Sequence, residues 1–228
     1  METSFLNKVH FLVIVGFSVL QVSCQDADPA RILTIGDSNG AAKHGWVVQL
    51  KKMMPNDSIY NVSIPGNTIG FDNLDNPKLN TVSNIDGYLA KAEKQMGGID
   101  HVVILLGTND AKAVFDSVQP AVIDNLRRLL RSIEHHGYRK AVVPEIIVVS
   151  PPPYGKDELL AEKYKGAGKR VRFFIKEFEK VAAENNIKFV NIYEPLAPEF
   201  DTYSDDGVHL DAEGQQMIAT AIKAALGE

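Results

Sequence analysis

The most informative segment of the chain reads Arg31-Ile32-Leu33-Thr34-Ile35-Gly36-Asp37-Ser38-Asn39-Gly40. Its first half is a short, apolar, β-branched run, which is typical of a buried strand. The glycine-rich second half leads into a helical pattern that begins at Trp46, so the segment predicts a strand, a sharp turn and a helix. Ser38 would lie at a helix N-terminus, where free N–H groups and the helix dipole stabilise negative charge.

The same alternation continues along the chain. Further helical patterns separate the apolar runs, and strands that alternate with helices form right-handed βαβ units and a parallel sheet covered on both faces. The sequence therefore predicts a three-layer α/β domain. The predicted strands are Arg31–Ile35, Ser58–Val62, His101–Leu106, Glu145–Ser150 and Ile187–Ile192, and the later predicted helices are Ile85–Met96, Val118–His136, Lys169–Asn185 and Ala212–Leu226. The stretch from Ile69 to Val82 lacks a pattern, and we interpret it as a loop over the site.

Composition limits the class of protein. The chain has 228 residues, of which 45% are hydrophobic and 23% charged, with a formal net charge of -5. These values are ordinary for a globular domain and exclude collagen-like, coiled-coil and disordered classes. No basic cluster indicates a nucleic-acid partner. We predict one domain over residues 25–228.

The N-terminus has the pattern of a secretory leader. Lys8 precedes the uncharged run Phe11–Leu20, which is too short to cross a bilayer, since a span needs about 20 residues. Residues 1–24 are therefore a predicted signal peptide. The single cysteine, Cys24, ends this segment and leaves two routes open: simple cleavage, or lipidation as in bacterial lipoproteins. The mature chain would carry no transmembrane span and would be periplasmic, at the cell surface or secreted.

Ser38 by itself admits several interpretations. A serine in a glycine-rich strand-to-helix turn caps a helix or cradles a phosphate as readily as it attacks a carbonyl. The segment also satisfies Gly-x-Ser-x-Gly, the nucleophile elbow of α/β-hydrolases. That elbow normally follows several strands, whereas Ser38 follows the first strand of the mature chain.

Asp206-Gly207-Val208-His209 supplies a candidate acid and base three residues apart. In a turn of this length the carboxylate can accept from one imidazole nitrogen while the other nitrogen faces a serine. The alternative is a surface turn that caps the last helix, with His209 solvated or packed.

Two further residues at strand ends can donate hydrogen bonds. Asn109 follows the third predicted strand, and Gly66 follows the second, where the lack of a side chain leaves its N–H accessible. With the Ser38 N–H they would make a three-donor oxyanion hole, in which the loss of one donor typically costs about 10²–10³ in rate.

These blocks together resemble the SGNH hydrolase superfamily, the GDSL-type esterases and lipases. The matching blocks are Gly36-Asp37-Ser38, Gly66, Gly107-Thr108-Asn109-Asp110 and Asp206-Gly207-Val208-His209-Leu210, with Asn39 where Leu or Ile is common. The resemblance implies a flavodoxin-like five-stranded parallel sheet of order 2-1-3-4-5, Ser38 as nucleophile, His209 as base and Asp206 as its partner. It also implies an oxyanion hole of Ser38, Gly66 and Asn109, and neither metal nor cofactor.

The expected activity is hydrolysis of a carboxylic ester through an acyl-enzyme. A leader and a domain without a large insertion favour a carbohydrate O-acetylesterase or short-chain esterase, acting on a small or polysaccharide ester. Lysophospholipase, arylesterase or thioesterase activity is the alternative, and a non-catalytic binding module is another. We predict His44, Asn39 and Asn67 as substrate contacts; the sequence does not indicate the oligomeric state.

Overall fold

The computed structural model describes residues 28–227, so the predicted leader and Cys24 lie outside the described residues. The strands are β1 (Arg31–Ile35), β2 (Ser58–Asn61), β3 (His101–Leu105), β4 (Glu145–Val149) and β5 (Lys188–Val190). The helices are α1 (Ser38–Ala41), α2 (Trp46–Met53), α3 (Thr81–Met96), α4 (Gln119–Glu134), α5 (Ala167–Glu184), α6 (Tyr193–Leu196), α7 (Phe200–Tyr203) and α8 (Ala212–Leu226).

The five strands form one parallel sheet in the order β2-β1-β3-β4-β5. β1 lies between β2 and β3, with Leu33 opposite Tyr60 on one side and Val102 on the other. This confirms the predicted fold class and strand order. Because all strands run the same way, the segments that follow β1, β2 and β3 meet at one edge of the sheet.

Each face of the sheet buries its own apolar cluster. Alternate residues of the central strands point to opposite faces: Leu33 packs with the cluster under α3, α4 and α5, whereas Ile32 packs with the cluster under α2 and α8. Both residues are fully buried. A strand buried on both sides lacks apolar–polar alternation, which is why the strands appear as continuous apolar runs.

The predicted elements differ from the observed ones mainly at their ends. α3 begins four residues before the predicted start, because the Asn80 side chain accepts the Ser83 N–H and caps the helix. The predicted loop over residues 69–82 contains two 3₁₀ turns, Asn73–Asp75 and Pro77–Leu79. The short helices α6 and α7 are absent from the prediction, since four residues are too few for a helical period. Among residues 28–227, no helix combines the length and apolarity that a membrane span requires.

Candidate active site

Ser38 is the first residue of α1, three residues after β1 ends at Ile35. Asp37 caps this short helix, its Oδ1 accepting the Asn39 N–H at 2.9 Å. Burial raises the pKa of the Asp37 carboxyl, while the Asn39 N–H opposes the rise. A Cβ on Gly40 would overlap the Ser63 side chain and would lie 2.9 Å from Nε1 of Trp46. Tight packing therefore holds the serine turn in place and requires glycine at position 40.

His209 lies between Ser38 and Asp206 in a hydrogen-bonded row. Nε2 of His209 is 3.0 Å from Ser38 Oγ, and Nδ1 is 2.6 Å from Asp206 Oδ2. Because a carboxylate only accepts, this network assigns the ring proton to Nδ1 and leaves the Nε2 lone pair facing the serine hydroxyl. The row has the geometry in which a histidine removes a proton from serine.

The Asp206 carboxylate also holds its own loop. Its Oδ1 accepts the backbone N–H groups of Val208 and His209 at 2.9 and 2.7 Å. Burial acts to raise the pKa of Asp206, but the hydrogen bonds from His209 and Val208 outweigh burial and hold it below its usual value. Because its pKa is lowered, Asp206 is ionised when it orients the imidazole. In the same turn, Gly207 adopts φ +73°, a left-handed conformation that strains other residues.

Gly66 and Asn109 lie at the same edge of the sheet. Gly66 has φ +86°, and neither its N–H nor that of Ser38 donates to any described residue. Nδ2 of Asn109 donates one hydrogen to the Asn67 carbonyl at 3.0 Å, so the second hydrogen of that amide is available. The three predicted donors thus each have a hydrogen that no described residue accepts.

Two buried side chains tie the donor loops together. Asn73 donates its side-chain amide hydrogen to the Gly66 carbonyl at 2.6 Å. Asp110 accepts the Ile69 N–H at 3.0 and 3.2 Å, and its burial raises its pKa to about 7. No periodicity marks Asn73, because its role depends on a loop contact seven residues back in the chain.

Asn39 does not reach the substrate side, where the sequence led us to expect it. Its side chain is only 1% exposed. Oδ1 accepts the Leu210 N–H at 3.1 Å, and Nδ2 donates to the Val208 carbonyl at 3.4 Å. These two partners flank His209, so Asn39 connects the serine turn to the histidine loop.

Gln215 completes this connection. Its Nε2 donates to Asn39 Oδ1 at 2.7 Å, and its Oε1 accepts the Trp46 N–H at 2.9 Å. The side chain is fully buried. No sequence motif marks Gln215, although its spacing of three residues before the core residue Ile218 places it on the buried face of α8. We call Asn39 and Gln215 the polar pair.

The other two expected substrate contacts differ in their exposure. Asn67 is fully buried and its Nδ2 donates to the Gly36 carbonyl at 3.2 Å, so it supports the serine turn from beneath. His44 is exposed, and its Nε2 lies 3.2 Å from the Leu210 carbonyl. Only His44 is thus placed where a ligand could touch it. Among residues 28–227, no three His, Cys, Asp or Glu side chains are grouped so as to hold a metal ion.

The parallel sheet and the Ser–His–Asp row at its carboxyl edge define a class of protein: a three-layer α/β domain with the side-chain arrangement of serine hydrolases. The chain belongs to the GDSL-like lipase/acylhydrolase family, whose model matches residues 33–217. This confirms the resemblance seen in the sequence.

Solved structures share the fold at low sequence identity. A carbohydrate acetylesterase from Sinorhizobium meliloti is 21% identical with a TM-score of 0.72, and the match covers 87% of this chain and 100% of that one. The aryl esterase of M. smegmatis is 19% identical with a TM-score of 0.71, covering 87% and 98%. No curated protein sequence matches the chain.

Proposed function

We propose that the protein is an exported serine esterase that forms an acyl-enzyme on Ser38. The observation that carries the proposal is the row in which His209 lies 3.0 Å from Ser38 Oγ and 2.6 Å from Asp206. His209 takes the serine proton as Oγ attacks the ester carbonyl, and Asp206 stabilises the imidazolium that forms.

The oxyanion of the tetrahedral intermediate would be stabilised by the N–H groups of Ser38 and Gly66 and the Asn109 amide. His209 then gives its proton to the departing alkoxide, which releases the alcohol and leaves the acyl group on Ser38. Water, deprotonated by the same imidazole, hydrolyses the acyl-enzyme. The exposure of His209, whose side chain is 48% accessible, supports entry of both ester and water.

For the substrate we propose an O-acetylated carbohydrate or another short-chain ester. The polar side chains His44, Thr202 and Asp205 near His209 and the fold shared with an enzyme named a carbohydrate acetylesterase support this choice. Aryl ester hydrolysis is the second candidate, since the M. smegmatis aryl esterase has the same fold. Lysophospholipase, thioesterase and non-catalytic binding functions remain as the outcomes against which the test is designed.

The test combines active-site labelling with a substrate panel. A fluorophosphonate should label Ser38, and 4-nitrophenyl esters should lose turnover as the acyl chain lengthens from acetyl. A preference for chains beyond about eight carbons would contradict the short-chain proposal. Ligand binding with neither labelling nor turnover would indicate a binding module instead.

Export is a separate proposal, supported by the leader pattern of residues 1–24. Expression with an epitope at residue 228 should place the processed protein in the periplasm, at the cell surface or in the medium. Palmitate incorporation that disappears in Cys24→Ala would establish lipidation. Incorporation that persists in that variant would exclude Cys24 as the lipidated residue.

A further inference from the structure

Lys112 is a buried lysine to which the proposed mechanism gives no role. It is only 6% exposed, although lysine is rarely buried without a charged partner. Within residues 28–227 its ammonium makes no ion pair. Burial and the charge of Lys163 lower the pKa of Lys112, and the carboxyls of Asp110 and Asp37 oppose that change. A buried ammonium costs free energy, so stability alone does not explain a lysine at this position.

The backbone of Lys112 belongs to the turn that carries Asn109. The Lys112 N–H donates to the Asn109 carbonyl at 3.2 Å. In the same turn, the Ala111 N–H donates to the Gly107 carbonyl at 3.0 Å. These two hydrogen bonds close the turn after β3, so the lysine and the predicted oxyanion donor Asn109 are held together.

The side chain of Lys112 leaves this turn and reaches the loop that follows β2. Its Nζ donates a long hydrogen bond to Oδ1 of Asn73 at 3.4 Å, and Nδ2 of Asn73 donates to the Gly66 carbonyl at 2.6 Å. An ammonium only donates and a carbonyl only accepts, so these contacts determine which end of the Asn73 amide faces each partner. Lys112 thus connects the segments that carry Asn109 and Gly66.

An aromatic ring also lies close to the ammonium. Nζ of Lys112 is 5.9 Å from the ring centroid of the partly buried Tyr164, near the outer limit of a cation–π contact. Nζ of Lys163 is 4.9 Å from the same ring, but Lys163 is exposed. The two lysines therefore share an aromatic neighbour and differ in burial, which makes Lys163 a matched control for Lys112.

The conformation of Gly66 depends on contacts of this kind. Glycine adopts positive and negative φ with similar ease, so the φ of +86° is not fixed by a side chain of its own. The contact from Asn73 holds the Gly66 carbonyl, which restricts the direction of the N–H of the same residue. An oxyanion hole requires its donors at about 3 Å from the developing oxyanion, so a small rotation of Gly66 would weaken it.

We propose that Lys112 is a positioning residue of the oxyanion hole and that, through Asn73, it holds Gly66 in place relative to Asn109. This inference rests on the proposed esterase function and deepens it. Acylation and deacylation both pass through an oxyanion, so a displaced Gly66 slows both steps. The loss therefore falls on kcat and leaves KM nearly unchanged.

The first experiment removes the ammonium. Lys112→Met keeps most of the apolar chain and should lower kcat for 4-nitrophenyl acetate about 5–50-fold, less than the loss of a whole donor, with KM within about twofold. The melting temperature should stay near the wild-type value, because the removal of a desolvated charge offsets one lost hydrogen bond. Lys163→Met is the control and should change kcat by less than about twofold.

A double-mutant cycle tests whether Lys112 acts through Asn73. Asn73→Ala by itself should lower kcat at least as much as Lys112→Met, which gives a second test if the lysine variant does not fold. In the Asn73→Ala background, Lys112→Met should cost less than about a further twofold. Losses that multiply would contradict the route through Asn73.

A transition-state analogue separates positioning of the hole from a general loss of structure. Phenylboronic acid forms a tetrahedral anionic adduct with an active serine, so its inhibition constant should rise in Lys112→Met by about the factor by which kcat/KM falls. An unchanged kcat, a loss confined to KM, an unchanged inhibition constant or an equal loss in Lys163→Met would overturn the role of Lys112. If the wild-type protein hydrolyses no ester and Ser38 resists fluorophosphonate, the esterase function itself has failed.

Discussion

The turn that carries Ser38 and the loop that carries His209 are held in place by different forces. Tight packing of glycines against Ser63 and Trp46 defines the serine turn within a few residues of β1. The histidine loop is half exposed, and the polar pair connects it to that turn across about 170 residues of sequence. Ser38 is thus positioned locally, whereas His209 depends on a long-range contact.

The largest effect should come from the serine turn itself. Ser38→Ala removes the attacking oxygen and should lower kcat/KM for 4-nitrophenyl acetate by about 10⁴-fold or more. The thermal melting temperature should stay near the wild-type value, since the change removes one partly buried hydroxyl. Turnover within tenfold of wild type would refute the role of Ser38.

A slightly smaller effect is expected in the histidine loop. Asp206→Asn keeps the shape of the side chain but can donate to Nδ1, which favours the wrong imidazole tautomer and should lower kcat by about 10³–10⁴-fold. Steady-state kinetics would measure the loss of kcat, and circular dichroism would check that the variant is folded. Asp205→Asn, one residue earlier and exposed, is the matched control on 4-nitrophenyl acetate, and a similar loss in both variants would contradict a specific role for Asp206.

The polar pair tests the long-range contact directly. Asn39→Leu leaves the Leu210 N–H buried without an acceptor, which costs about 1–3 kcal/mol, and leaves the Gln215 amide with only its longer hydrogen bond to the Leu210 carbonyl at 3.4 Å. The loop should shift, so that kcat falls about 10–100-fold with little change in KM. Gln215→Leu should have a smaller effect, because Asn39 keeps its contact with Leu210.

Two readouts separate positioning of His209 from simple loss of stability. The rate of fluorophosphonate labelling of Ser38 should fall in parallel with kcat, and the pH profile of kcat should change. Gln216→Leu, an exposed neighbour on α8, is the control and should leave both unchanged. An Asn39→Leu protein with a lower melting temperature but a normal kcat would show that the polar pair only stabilises the fold.

The last prediction concerns stability rather than rate, at Asp110, whose carboxylate accepts the Ile69 N–H. Burial raises its pKa to about 7, above the ordinary value near 4, so the folded state holds this proton over a range in which the unfolded chain has released it. Its contribution to stability is complete below about pH 4 and declines as the pH rises to about 7.

Denaturant unfolding at several pH values would measure this dependence. The stability of wild type relative to Asp110→Asn should fall by about 2–4 kcal/mol between pH 4 and pH 7 and change little above that. Asn retains an acceptor for the Ile69 N–H, so the two proteins differ mainly in whether residue 110 titrates. A difference that is constant or rises with pH would show that Asp110 is ionised throughout.

Much of the fold could be predicted because its signals are local. The strand β1 and the helix α8 have the predicted bounds, since an apolar run and a capped helical period do not depend on distant residues. β5 is shorter than predicted, at three residues, because strand pairing with β4 decides where a strand ends. The short helices α6 and α7 lie below the length at which periodicity can be detected.

The candidate site likewise contains residues that local sequence predicts and residues whose role depends on the folded chain. Ser38, Gly66, Asn109, Asp206 and His209 are recognisable because each sits in a short motif whose chemistry depends on neighbours in sequence. Asn39 and Asn67 share those motifs, and nothing local distinguishes a side chain that faces the cleft from one that faces the interior. Asn73 and Gln215 act on partners in other motifs, so only a folded chain reveals them.

The sequence by itself determined the layered parallel sheet, the residues of the candidate site and the family, because hydrophobic periodicity and short turn motifs act over a few residues. The tertiary structure alone decided how those residues meet: which nitrogen of His209 faces Ser38, and which asparagines are buried. Those outcomes depend on packing and hydrogen bonds between segments far apart in the chain, and no local pattern encodes such contacts.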